Sequence, residues 1–563
     1  MSSTGKIRVA VLTRGDSLES WEIAALQAVK KLEFAEIVVE VRESSFGAAR
    51  PERSRGAQDD TSPQQNLGAK ILRYRWSRLF WNRWFKKYGK VNAMQEISSK
   101  EIFAGVPRMN VVPELKGKYS QHFSSADVEK LKAYSPDVII RFGFNILRGE
   151  ILNVATHGVW SYHHADHETI RGGPAGFWEY ILRHHRTGAM LQRLNEKLDA
   201  GTILRSGYWP LVKHSFRENL DTLLSCSSRW IANALTEIHA TGKVSEEPAS
   251  PASVKVYSYP GNFRMLQFWC ILFGNKIAFH WNNLFRPETW QIGIVDQPLS
   301  DVLENGITGK IEWIRAKKND SYLADPFPMQ RNGETIPASE YFCGTEQRSR
   351  IVNARTEEII YHPGHHVSFP VPVEIDGKHY FLPEQSASGK CELIEAGNTG
   401  NRITLVQEPL VDPVLFQHNN TWWLFAHKLD DQNNSALFIY HAESIAAGFK
   451  PHLLNPVKTS ISNSRSAGPV IRHNGKLLRP AQDSARTYGA AVVINEIVTL
   501  SAHSYKETAV QVLEPKREWP FNKGLHTISP FGNRTLIDAK SFRFNFANFK
   551  AQLSRKARRI SGK

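Results

Sequence analysis

Gly158–Tyr180 reads GVWSYHHADHETIRGGPAGFWEY, and Leu191–Gly201 reads LQRLNEKLDAG. An apolar run leads into Ser161 and, two positions on, His163. Arg171-Gly172 follows eight residues after the histidine, and Asp199 closes the segment in a Leu-Asp-Ala-Gly turn. Acyl transfer to an amine needs such a set. Histidine moves a proton, a carboxylate orients or recharges it, and a polar group donates to the developing oxyanion.

Working outward, Lys6–Arg14 (KIRVAVLTR) is β-rich, Ser20–Leu32 has a helical pattern, and Ala35–Val41 is a second strand. This β-α-β start predicts a parallel, doubly wound sheet. Ala126–Tyr134 reads as a helix feeding a strand at Pro136–Ile140. Ligands of such sheets sit at the carboxyl ends of the strands, which places Phe142–Asn145 and Ser161–His163 on one rim. Residues 44–68, rich in Arg, Ser, Gly and Gln, read as a mobile basic loop. Lys213–Thr241 reads as a helical close, and Pro248–Pro251 marks a boundary.

The segment resembles the catalytic domain of the folate-dependent formyltransferases, whose motif is Asn-x-His, Ser-Leu-Leu-Pro, Arg-Gly and Leu-Asp-x-Gly. His163, Arg171-Gly172 and Asp199 fall on its histidine, Arg-Gly and aspartate. Ser161 stands where the family has asparagine, and Ala165-Asp166-His167-Glu168 replaces Ser-Leu-Leu-Pro. Serine donates one hydrogen bond with a shorter reach than an amide. The resemblance implies catalytic roles for His163, Asp199 and Ser161. It also implies substrate or co-substrate contacts at Phe142, Gly143, Asn145, Arg171 and Gly172, and 10-formyltetrahydrofolate as co-substrate. The plainer alternative for His163 is a satisfied loop histidine. His164 and His167 suit local hydrogen bonding better than a metal.

From about Thr289 the pattern changes. A unit of Asp-Pro or Gly-Pro opening, apolar run, polar turn and aromatic strand starts at Ala324, Phe369, Val411 and Ala467, and more weakly at Thr527. Spacings of about 40 to 65 residues are those of propeller blades, so a five-bladed β-propeller is expected over 286–545. The expected fold class is multidomain: an α/β doubly wound sheet over 1–247, a linker with an aromatic helix over 248–285, the all-β propeller, and a basic tail over 546–563.

The repeats resemble the five-bladed glycosidases of glycoside hydrolase family 43. Asp325 falls on that family's general base and Asp412 on its tuning aspartate. Ala467 replaces the general-acid glutamate, which breaks the two-carboxylate scheme of hydrolysis. Pro383–Gly389 (PEQSASG) and Arg479–Ala491 (RPAQDSARTYGAA) resemble the N-terminal domain of the glucosamine inositolphosphorylceramide transferases, over about 286–540. That likeness points to glycan or glycolipid chemistry, with Asp325, Glu384, Asp412, Arg479 and Asp483 as candidate site residues. His365, His366, Gln482, Arg486 and His526 are further polar neighbours. The plainer alternative for Asp325 and Asp412 is turn capping before proline.

The chain has 563 residues, 41% hydrophobic and 22% charged, as in folded proteins of two or three domains. Its N-terminus has no apolar signal core, and Cys226, Cys270, Cys343 and Cys391 form no CxxC pair. The expectation is a cytoplasmic protein with no metal site. The net charge is +16. Ile71–Lys87 (ILRYRWSRLFWNRWFKK) interleaves aromatic and basic residues. It reads as a helix packed on the protein, an interfacial helix on anionic lipid, or a nucleic-acid patch without an accompanying RNA motif. A second aromatic run, Phe263–Trp281, fits lipid contact or a buried helix equally well. The expected partners are an amino sugar, a nucleotide-sugar or a lipid-linked glycan, with contact to an anionic membrane and no nucleic acid. The expected function is formyl or related one-carbon transfer to an amine, of an amino sugar above all, with a sugar-binding or sugar-transferring propeller. The alternative is a glycosyltransferase-type propeller beside a non-catalytic formyltransferase-like module.

Overall fold

The computed structural model describes residues 5–44, 76–117, 120–196, 201–248, 253–331, 333–429, 435–544 and 549. The chain divides into two compact units, Met1–Lys276 and Ile277–Lys563. The division falls inside the aromatic helix expected in the linker. The basic loop lies outside the described residues from 45 onward, and so does the tail apart from Phe549.

The first unit is built on seven strands: β1 (Ile7–Thr13), β2 (Ala35–Glu43), β3 (Arg108–Val111), β4 (Val138–Arg141), β5 (Val159–His163), β6 (Arg186–Arg193) and β7 (Thr202–Pro210). They lie in the order β3-β2-β1-β4-β5-β6-β7. The first five run parallel, and β6 and β7 add antiparallel hairpin-fashion. β1 is buried on both faces, which a parallel central strand requires. Val9, Val11, Ile140 and Trp160 feed one core, and Ala10, Leu12, Ile139 and Val159 feed the other. The sheet is therefore doubly wound, with its switch point between β1 and β4.

Helices cover both faces: α1 (Ser20–Lys30), α2 (Leu79–Trp84), α3 (Ser125–Lys132), α4 (Phe216–Ser227), α5 (Trp230–Thr241) and α6 (Asn262–Phe285). α1 starts at a capping box of Glu19 and Glu22 and buries Trp21, Ala25, Leu26 and Val29. α2 buries Trp81 in the core that α1 faces, with Phe80 and Trp84 packed against it. From 76 onward the segment thus packs Phe80, Trp81 and Trp84 on the protein and leaves Trp76, Arg83, Lys86 and Lys87 exposed.

The second unit is five antiparallel sheets. Four follow in chain order, starting at Ser321–Arg331, Ser368–Ile375, Leu410–His418 and Ile471–His473. The remaining sheet joins the unit's two ends, with Glu288–Val295 beside Arg534–Phe542. Each sequence repeat thus leads into one sheet. Hairpin turns at Asp376-Gly377, Asn419-Asn420 and Asn474-Gly475 have positive φ at both residues. That is the turn whose twist matches two adjoining strands, and Asn, Asp and Gly tolerate it best.

Candidate functional site

Three sheets of the second unit share one device. Their first strands carry a bulge at Asp325-Pro326, Phe369-Pro370 and Asp412-Pro413, two residues opposing one. The residue before each proline has a positive φ, of 50°, 50° and 45°. That backbone is strained for any residue but glycine, and a bulge re-aims the side chain it carries. Asp325 and Asp412 consequently sit within strands, bonded to residues far away in the chain, and are not turn caps. In the third case Phe369 takes the place and packs edge-on against Phe327 at 4.9 Å. The residue before each bulge pairs with one sixteen positions on: Ala324 with Glu340, Ser368 with Glu384, and Val411 with His427.

Three hydrogen-bonded groups result, close enough for their charges to act on one another. Thr527 Oγ1 donates to Asp325 Oδ1 at 2.9 Å, and His526 Nε2 lies 3.3 Å from the same oxygen. His526 Nδ1 lies 2.7 Å from Asp538 Oδ2. Asp538 is fully buried and accepts the N–H groups of Asp325 (3.0 Å), His526 (3.1 Å) and Thr527 (3.0 Å). Asp412 Oδ2 accepts from Arg465 Nε at 2.5 Å and Gln482 Nε2 at 3.2 Å. Ser349 Oγ donates to Glu340 and lies 3.1 Å from His366 Nδ1. His366 Nε2 in turn lies 3.6 Å from Glu384 Oε2. The Trp290 ring lies 3.9 Å from that of His526, tilted by 32°, and Arg465 lies 5.0 Å from the ring of Tyr488. Tyr488 is 37% exposed, so the cluster has a solvent-facing edge.

Burial is the main force on its protonation. It pushes Asp325 up to about 8, against the pull of His526 and with help from Glu340 and Asp412. Burial likewise pushes Glu340 up to about 7. For His526 burial works downward, but Asp538 and Asp325 outweigh it and lift the imidazole above its usual value. Carboxyls poised near neutrality can both accept and return a proton. Asp325, His526 and Asp538 also bring ligand atoms within 4.8 Å of one another. Both Asp538 oxygens are already engaged by backbone N–H groups, which suits an orienting role better than a cation ligand.

In the first unit, Ser161 and His163 share the face of β5 opposite Trp160 and Tyr162, and His163 pairs across from Met190. Ser161 is buried, its Oγ 3.4 Å from the Tyr162 carbonyl. The replacement segment has its own bonding. Asp166 Oδ2 accepts from Arg186 Nε at 2.9 Å, Glu168 pairs with the same guanidinium, and Tyr208 Oη lies 2.9 Å from His167 Nε2. On the other face, Trp21, Phe142, Tyr162 and His164 form a ring cluster at the switch point. Arg14 closes it by donating to the Phe142 carbonyl at 3.1 Å and to both oxygens of Glu22.

Several expected contacts turn out to be internal. Phe142 is buried in the core, and a Cβ on Gly143 would sit 3.1 Å from Arg14 N. Asn145 uses its N–H on Gln121 (2.5 Å) and its carbonyl on Arg141 (2.7 Å). Arg171-Gly172 pairs in register with Val256-Tyr257, and Gly172 is required there, at φ +83° with Tyr257 O 2.1 Å from any Cβ. Asp199 lies outside the described residues. In the second unit, Asp325, Glu384 and Asp412 belong to the cluster. Arg479 does not: it is buried in an ion pair with Glu507 at 2.6 Å, beside Lys458. Asp483 Oδ1 accepts the Ala485 N–H at 2.9 Å, a turn use. Strand alternation puts Arg479 and Asp483 on one face and Gln482 on the other, and it is Gln482 that reaches Asp412. Ala467 is buried, and a Cβ on its neighbour Gly468 would sit 2.1 Å from Ile528 O. Glu340, Arg465, Tyr488 and Asp538 were not read from the sequence. The sixteen-residue interval that already marks Glu384 also marks Glu340.

Residues 352–524 match the family described as glucosamine inositolphosphorylceramide transferase 1, N-terminal. That span holds His366, Glu384, Asp412, Arg465 and Tyr488. The chain is 30% identical over 156 residues to the glucosamine inositolphosphorylceramide transferase 1 of Oryza sativa subsp. japonica, covering 26% of this chain and 21% of that protein. It is 30% identical over 155 residues to the Arabidopsis thaliana protein of the same name, covering 26% and 20%. The chain thus spans about a fifth of the length of the curated relatives it matches. Among solved structures, it is similar to glycinamide ribonucleotide transformylase 1 from Symbiobacterium toebii, with 13% identity, 44% of this chain, 96% of that one and a TM-score of 0.28. It is also similar to an N-formyltransferase from Helicobacter canadensis in complex with folinic acid and dTDP-3-aminofucose, with 9% identity, 45%, 71% and a TM-score of 0.27.

Proposed function

We propose that the protein is a transferase acting on a glycan, with the sugar held at the carboxyl cluster of the second unit. The observation that carries this reading is the convergence of Asp325, Glu340, Glu384 and Asp412 with His526, Arg465 and the rings of Trp290 and Tyr488. Carboxyl groups accept from sugar hydroxyls, and aromatic faces pack on the apolar faces of pyranose rings. In this reading the five sheets are the blades of a propeller, and Asp325 takes the proton of the acceptor hydroxyl. His526, held by Asp538, orients Asp325. A sugar nucleotide and a lipid-linked glycan are the proposed donor and acceptor. The family match over the second unit supports glycolipid chemistry, and the absence of an acid at Ala467 argues against hydrolysis in the two-carboxylate manner. Purified protein given a panel of sugar nucleotides and lipid-linked acceptors should yield a glycosylated product by mass spectrometry, lost in Asp325→Asn. If the panel yields none, and calorimetry detects no sugar binding, the reading fails.

A second reading has its own support. Ser161 and His163 share one face at the carboxyl end of β5, in a sheet whose switch point lies one strand away. Formyl transfer from 10-formyltetrahydrofolate to an amino sugar would use His163 to move the amine's proton and Ser161 as the oxyanion donor. Consumption of that co-substrate with an amino-sugar acceptor, abolished by His163→Ala, would support it. An absence of folate binding would leave the first unit a non-catalytic module.

A further inference from the structure

The first unit presents a surface that neither chemistry uses. α6 sets Met265, Phe268, Trp269 and Leu272 against the first-unit core. It is locked to α2: Phe80 N–H donates to Asn262 Oδ1 at 3.0 Å, and Asn262 Nδ2 donates to the Trp76 carbonyl at 2.7 Å. Trp84 meets Phe268 edge to face at 5.3 Å. On the side of α6 away from this packing stand Phe263, Leu266 and Phe273, spaced by three and seven so that they share one stripe. Phe263 is 76% exposed and Phe273 68%, and Trp76, beside the start of α6, is 63% exposed.

The charge within these two segments has one sign, and the acids Glu218 and Asp221 are on the helix that packs Phe216 against Trp84 and Phe268. Residues 76–94 and 262–276 together contain seven Lys or Arg and no Asp or Glu. Arg83, Lys86, Lys87, Arg264 and Lys276 are exposed. No helix among the described residues is long and apolar enough to cross a membrane. A helix with one face packed on its own protein, aromatic rings on another face and exposed cations along it matches the headgroup layer of a bilayer. There aromatic rings rest at the boundary and each cation gains from the negative surface. A protein partner fits less well, since lysine is depleted at protein interfaces.

We propose that this face docks the first unit on an anionic lipid surface, with Trp76, Phe263 and Phe273 inserted among the headgroups. The inference is independent of the chemistry proposed for either unit. The test is flotation of the full chain with phosphatidylcholine vesicles, with and without about 30% phosphatidylglycerol. The expected result is partition onto the anionic vesicles alone, weakened at least tenfold at about 0.5 M salt. Phe263→Glu/Phe273→Glu and, separately, Lys86→Glu/Lys87→Glu should each lower partition by about tenfold or more, with unchanged melting. Should the aromatic variant melt early, the charge variant decides. Three results would overturn the proposal: no partition of the wild type, variants that partition equally, or a dimer in solution that the aromatic variant dissolves.

Discussion

The two units treat their polar residues in opposite ways. In the first, nearly every charged group near the expected site is spent inside the fold. Arg14 is tied to Glu22 and the Phe142 carbonyl, and Arg186 to Asp166 and Glu168. In the second, acids face acids. Asp325 is pushed up by burial and by both Glu340 and Asp412, and Glu340 by burial, Glu384 and Asp412. A buried group paired within its own unit holds a shape. A set of mutually repelling carboxyls holds protons, and a ligand bearing hydroxyl donors can relieve it. The comparison favours the second unit as the place where a polar ligand changes the protein's state.

The most severe way to break that comparison is at Asp325. Asp325→Asn or Glu340→Gln should lower glycan transfer by about 10² to 10⁴-fold, read as product formation, while the melting of the first unit is unchanged. If neither matters, the cluster is scaffolding like the first unit's pairs. Next is the buried ion pair. Arg479→Met leaves Glu507 and Lys458 without their third partner and should cost the second unit about 3–5 kcal/mol by denaturant titration, with sugar affinity in the remaining folded fraction preserved. In the first unit, Gly172→Ala forces a Cβ onto Tyr257 O at φ +83°. It should cost about 3 kcal/mol, a drop of about 10 °C in that unit's calorimetric transition.

The smallest effect is on pH dependence. Asp325 and Glu340 have folded values above their unfolded ones. The folded state therefore holds protons that the unfolded state has released, so their stability contribution is full below about pH 4 and lost as pH rises through about 7 to 8. His526, also raised, acts in the same direction. The second unit's transition should fall between pH 5 and pH 8.5, and Asp325→Asn/Glu340→Gln should flatten that slope. Glu507, held at about 2 by Arg479 and Lys458 against its burial, works oppositely, losing its contribution only as pH falls toward that value. A slope unchanged in the double variant would mean the acids are not the coupled group the geometry describes.

Much of the fold was legible because its signals are local. The β-rich run of Ile7–Thr13, the helical spacing after Ser20 and the Asx-Gly turns each report on a few neighbouring residues. The site was legible only where the chemistry also sits in a short motif. Asp325 and Asp412 announce themselves before proline, but the residues that give them meaning, Asp538, Thr527 and Arg465, lie 53 to 213 positions away. Arg479 is likewise placed by a contact distant in the chain. Its partner Glu507 is 28 residues on, and nothing local distinguishes a buried ion pair from a ligand contact. Glu340 stands in ordinary strand sequence, and its significance lies in the pairing interval it shares with Glu384.

The sheet that joins the ends of the second unit has a consequence for how the protein is made. Asp538, which holds His526 and the backbone of Asp325, is on Arg534–Phe542, the strand that pairs with Glu288–Val295. A ribosome must therefore release nearly the whole unit before its centre can assemble. An interrupted chain would carry Asp325, Glu340 and Asp412 yet lack the residue that fixes their geometry. A chain stopped before Arg534 should be chemically silent however much of it has folded.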